Sequence, residues 1–208
     1  MSKSDRLDEA EVGLPRGYAT YVNLLTSGIP LSKFGFHTTR SQVFRFANRF
    51  RVARSFESVQ LKDYSEPTNR AYGALFRILL VFSAAEQYQT ITKLDWSRLE
   101  TLLLPVERDE CLDELRRVDA NGRFFDAVCT RTTDSKLSDV VRECIAGTRK
   151  ELLPVVRAVR HAFAHGDLAP GANSAAPGVA QKLARLACPL ILKSIELDFY
   201  SRAKCAGR

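Results

Sequence analysis

The sequence predicts an all-α protein, a compact helical bundle, and three observations carry that expectation. Apolar residues recur at three- and four-residue steps in most segments of the 208-residue chain, no alternating apolar run of useful length argues for a sheet, and no internal repeat marks a solenoid. The 45% hydrophobic and 26% charged fractions suit a single globular core, so the helices are expected to pack up and down around one another, with extra helices at the N-terminal side.

Residues 1–17 are rich in charge and end in Gly13-Leu14-Pro15-Arg16-Gly17, a composition that marks a flexible tail, so one folded domain is expected over residues 18–208. From Ser41 to about Lys62, the residues Val43, Phe46, Ala47, Phe50 and Ala53 form one face of an amphipathic helix with Arg45 and Arg49 opposite. Pro67-Thr68 offers the next helix start, and the stretch Ala71 to Ile91, with Leu75, Phe76, Leu79, Leu80 and Phe82, is apolar enough to be the central helix. Glu86 lies inside it. Helical periodicity continues over Arg108 to Val118, Gly122 to Cys129 and Leu137 to Ala146. Thr148 to His165 is the clearest amphipathic helix, closed by Gly166, a residue free to take the left-handed conformation. Gly166 to Gly178 reads as a mobile loop, and a last helix from Val179 to Ala203 contains Pro189, which is expected to kink or interrupt it.

Composition narrows the function classes. The formal net charge of +7, with 31 basic residues of which most are Arg, favours an anionic partner and leans towards phosphate, which a guanidinium fork grips bidentately. The cysteines Cys111, Cys129, Cys144, Cys188 and Cys205 are scattered and lack zinc-site spacing, as expected of small buried residues in a reducing compartment. Neither a secretory signal nor a membrane-spanning run is visible, so a cytoplasmic protein with no membrane partner is expected.

The chemistry-bearing segment is Arg160-His161-Ala162-Phe163-Ala164-His165-Gly166. At ~100° per residue, Leu152, Val155, Val159 and Phe163 share one side of the helix while Arg157, Arg160, His161, Ala164 and His165 share the other. Arg160 and His165, five residues apart, are then separated by roughly 7.5 Å along the axis, enough to flank one phosphodiester. The segment resembles the R-(polar)-x-x-x-H signature of the HEPN superfamily, often followed by Gly as here.

The resemblance implies a motif near the end of a helix in a small bundle, two protomers bringing their motifs together as a homodimer, and metal-independent RNA cleavage without any cofactor. His165 would then handle the ribose 2′-hydroxyl proton and Arg160 the charge on the phosphate, roles that suit an imidazole titrating near neutrality and a permanent cation. His161 replaces the Asn common in that family and would orient the site or act as a second acid. Glu86 would reach Arg160 from the neighbouring helix, and Arg157 would add an RNA contact. Toxin, stress or phage-defence roles, and an inhibitory protein partner, also follow from the resemblance alone.

Other readings remain open at this level. The same face serves a catalytically silent RNA- or protein-binding module, a dimeric scaffold, or merely solubility. His161 and His165 have the four-residue spacing of helical zinc ligands, but Ala162 stands where the zinc-protease motif needs Glu and the remaining histidine, His37, is distant. Within Phe44 to Arg54 the core claims most of the Phe side chains, leaving Arg45, Arg49, Arg51 and Arg54 as candidate RNA contacts.

Overall fold

The computed structural model describes residues 13–168 and 177–208, and among them every regular element is a helix. The expected tail and loop fall largely on residues 1–12 and 169–176, which lie outside the described residues. In chain order the helices are α1 (Tyr18–Thr26), a single 3-10 turn (Leu31–Phe34), α2 (Arg40–Ser55), α3 (Glu66–Thr92), α4 (Trp96–Glu100), α5 (Pro105–Val118), α6 (Arg123–Arg131), α7 (Ser135–Ala146), α8 (Leu153–Ala164) and α9 (Pro177–Ala206).

Helix α3 is the axis of the bundle, as its composition predicts. The Ser65 hydroxyl accepts from the Thr68 N–H, Pro67 occupies the first turn, and Ala71, Leu75, Ile78, Val81, Phe82, Ala85, Tyr88 and Ile91 are all buried. Helices α2, α8 and α9 pack against it, and α9 also meets α1, the 3-10 turn and α5. On the far side, α8 rests against α6 and α7. A polar tie crosses this core: Tyr88 Oη donates to Asp198 Oδ2 at 2.5 Å, and Arg202 Nε donates to the same oxygen at 2.7 Å. Arg202 Nη1 continues to the Gly35 carbonyl at 3.2 Å, linking α3, α9 and the 3-10 turn.

Two boundaries, one short helix and the passage through Pro189 differ from expectation. Helix α2 ends at Ser55, not near Lys62, because its apolar face runs out after Ala53; the chain leaves through an extended Phe56, and the Leu61 N–H is taken by Asn69 Oδ1 at 3.0 Å. The short helix α4, capped by the Asp95 carboxylate on the Arg98 N–H, has too few turns to carry a readable period. Helix α8 begins at Leu153 rather than Thr148: the Thr148 and Arg149 N–H groups instead close α7 on the Glu143 carbonyl, and Pro154 sits in the first turn of α8. Helix α9 runs unbroken through Pro189, whose ring lies on the exposed side while the opposite side is held against α3.

The start of α8 is fixed by a buried carboxylate. Glu100, only 5% exposed, accepts from the Leu152 N–H through Oε1 and the Leu153 N–H through Oε2, both at 2.8 Å. Burial pushes its carboxyl above the usual range while these two donors and the Arg108 charge pull it down. Four cysteines, Cys111, Cys129, Cys144 and Cys188, are buried and Cys205 is exposed. No helix among the described residues is long and apolar enough to cross a membrane.

Removing Glu100 strands two buried donors, each worth about 1–3 kcal/mol when unmade. Glu100→Ala is therefore expected to destabilise the chain by at least roughly 2 kcal/mol in urea unfolding followed by circular dichroism, with the slope of the transition unchanged.

Candidate functional site at the end of helix α8

The last two turns of α8 carry the motif, and its apolar side is sealed: Val155, Val156, Ala158, Val159 and Ala162 are fully buried. Phe163 is half-buried against Phe76 of α3, with ring centroids 5.3 Å apart and perpendicular. The opposite edge at this end, among the described residues, carries the exposed Ala164 and His165 and the half-buried Arg160 and His161.

Arg160 leans on α3. Its Nη2 donates to Glu86 Oε2 at 3.2 Å, its guanidinium carbon sits 5.8 Å from the centre of the Phe82 ring, and its buried Nε has no partner among the described residues. One carboxylate contact thus fixes the side chain, leaving donors of the fork for an incoming anion.

His161 is held from the other side. Its Nε2 lies 3.0 Å from Thr133 Oγ1, in the segment before α7. Burial, then the positive charges of His165, Arg160 and Arg157, push its imidazole pKa below the usual value, with Asp134 opposing them. The His161 and His165 rings are 4.4 Å apart at 55°. Arg157 approaches Asp134 at 3.7 Å, and Asp134 also caps α7 by accepting from the Leu137 N–H at 3.1 Å.

His165 stands where the helix ends. Its N–H still bonds the His161 carbonyl, but Gly166 at φ 79° turns the chain, and the Asp167 and Leu168 N–H groups return to the Ala162 carbonyl at 3.0 and 3.1 Å. Leu168, 3% exposed, pins that turn to the core. Among the described residues, a Cβ built on Gly166 would meet nothing within 4 Å.

The structure therefore brings Arg157, Arg160, His161, His165 and Glu86 to one neighbourhood. The α2 arginines are less gathered. Arg49 donates to the Ser83 carbonyl of α3 at 3.4 Å, one turn before Glu86, whereas Arg54 is paired with Glu196 of α9 at 2.5 Å. Arg45 and Arg51 are exposed and carry no bond to α8 among the described residues. Thr133, Asp134 and Glu100 were not legible as site residues. Asp134 alone had a signal, as an Asp three residues before the apolar Leu137, and it is a cap. Among the described residues no group of three or more His, Cys, Asp or Glu side chains gathers as metal ligands. His37 lies away from α8, its N–H on the Ile91 carbonyl.

Because a depressed imidazole pKa favours the neutral form in the folded chain, His161 protonation weakens the fold as pH falls below the ordinary histidine range, and its contribution is intact above it. Proton-detected titration should place His161 below a free imidazole, and His165→Gln should move it part of the way back, burial being the larger cause. A His161 pKa at or above the ordinary value would contradict this geometry.

Set against family models, curated proteins and solved structures, the chain matches none of them.

Proposed function

We propose that this chain is a metal-independent endoribonuclease of the HEPN type, acting in the cytoplasm as a homodimer without a cofactor. The observation that carries the reading is the joint emergence of Arg160, His161 and His165 at the exposed end of α8, with Arg160 braced by Glu86 from α3. His165 accepts the proton of a ribose 2′-hydroxyl, and the 2′-oxygen attacks the adjacent phosphorus. The bond from phosphorus to the 5′-oxygen breaks, and that oxygen takes a proton from the imidazole pair. Arg160 stabilises the charge gathering on the phosphate oxygens.

His161, fixed by Thr133, orients its neighbour or returns the proton; its lowered pKa makes its protonated form a better acid. The exposed Ala164 between the cations lets a second copy approach closely, which supports the homodimer. A toxin, stress or defence role, and an inhibitory protein partner, are consistent with this activity.

A second reading has one observation in its favour. Arg160 is partly buried and already paired with Glu86, an arrangement equally suited to a silent module that binds RNA or protein through the same edge.

Arg160→Ala and His165→Ala are each expected to lower cleavage of a mixed RNA pool by about a hundredfold or more with the helical circular dichroism spectrum unchanged. Products should carry a 2′,3′-cyclic phosphate or its hydrolysed form, EDTA should have no effect, and light scattering should give a dimer. Cleavage of RNA bearing a 2′-O-methyl group at the scission site would eliminate the mechanism.

A further inference from the structure

Beyond α8 lies a cavity of about 520 Å³, bounded by residues 57–60, the first part of α3 and the start of α9. Its size falls within the range of about 300–1,000 Å³ that encloses a nucleotide-sized group. Its floor is made by small residues, Gly73, Ala74 and Ala184; a Cβ on Gly73 would stand 3.7 Å from the Val59 nitrogen, so the absence of one widens the groove.

The charges in the groove are unequal. Arg70 is answered by Glu66 at 3.7 Å, and Glu57 is the other carboxylate. Arg77 and Arg185 form no ion pair among the described residues, and the buried Nε of Arg77 has no hydrogen-bond partner there. A buried N–H without a partner calls for an acceptor, and two guanidiniums without an ion pair favour an anion.

The mouth of the groove is aromatic. Tyr64 is 54% exposed, and its ring centroid lies 5.8 Å from that of Tyr72 at 83°. Tyr72 in turn lies 6.5 Å from Phe163, the residue three places after Arg160 on α8. An uninterrupted row of rings thus joins the groove to the motif helix. Alternating base faces and phosphates are what a row of rings beside a pair of guanidiniums fits, whereas an apolar protein segment would leave both arginines unanswered.

We propose that this groove binds single-stranded nucleic acid, with phosphates on Arg77 and Arg185 and a base against Tyr64. The Tyr64, Tyr72 and Phe163 row leads the strand to the end of α8. That the strand is RNA rests on the ribonuclease reading above; the groove itself reads backbone charge and base faces, which RNA and DNA share.

The test is fluorescence anisotropy of the full chain carrying His165→Ala, chosen to slow any turnover, with labelled oligouridylate and oligothymidylate of about 12 nucleotides. Tyr64→Ala should weaken both about tenfold, as loss of one stacked base does. Arg77→Gln with Arg185→Gln should flatten the salt dependence by about 1.4, close to 0.7 per phosphate contact on a single strand. Tyr64 and Arg185 are exposed, so their single variants carry the test if Arg77→Gln fails to fold. Unchanged affinity and slope in those variants would overturn the inference even for a chain that cleaves RNA. Displacement of the oligomer by free uridine monophosphate at equal nucleotide concentration would also overturn it, in favour of a mononucleotide site. Groove-dependent binding by a wild-type chain that cleaves nothing would leave this inference standing and remove the ribonuclease reading.

Discussion

The carboxylate of Glu100 holding the N–H groups of Leu152, which caps α8, and of Leu153, its first residue, is the interaction from which the candidate site takes its position. A helix start buried against α3 and α7 has donors that water cannot reach, and one bidentate acceptor satisfies two of them where the dipole also favours negative charge. Helix α8 is thereby fixed at its entry. At its exit the Asp167 and Leu168 N–H groups fold back onto the Ala162 carbonyl, with Leu168 buried as an anchor. The helix held between these fastenings is only twelve residues long, so it has little freedom to slide or rotate, and Arg160, His161 and His165 inherit that rigidity.

Between these ends the polar side chains are shared between two neighbours. Arg160 turns to Glu86 on α3, and His161 turns to Thr133 ahead of α7. The site is therefore a seam between the α3 side and the α6–α7 side of the bundle, with α8 as the wedge. Movement of either neighbour changes the distance between a guanidinium and an imidazole without breaking any bond inside α8. The close approach of the His161 and His165 rings adds an electrostatic constraint, because positive charge at His165 disfavours a proton on His161.

Much of this was legible in the sequence because it depends on local periodicity. The apolar run from Ala71 to Ile91 could only be a central helix, and the division of α8 into a core side and a cationic side follows from spacing alone. Gly166 takes the left-handed turn expected of it. What could not be read is non-local. Glu100 lies 52 residues before Leu152, and Thr133 lies 28 before His161, so neither pairing leaves a periodic trace. The early start assigned to α8 has the same cause: Thr148 and Arg149 fit a helical wheel, yet their N–H groups are claimed by the preceding helix. Pro189 does not interrupt α9, since its local cost is offset by packing on the far side of the helix.

The buried cysteines give the bundle an unplanned set of gauges. Cys111 is on α5, Cys129 on α6, Cys144 on α7 and Cys188 on α9. Burial pushes the thiols of Cys111 and Cys188 up to about 12 and raises those of Cys129 and Cys144, so all four stay protonated and shielded while their helices are packed. Cys205, being exposed, marks the intact molecule with a single modifiable position. The rate at which each hidden sulfur becomes alkylated then clocks the opening of its own helix, and mass spectrometry of the modified peptides resolves which part of the bundle yields first.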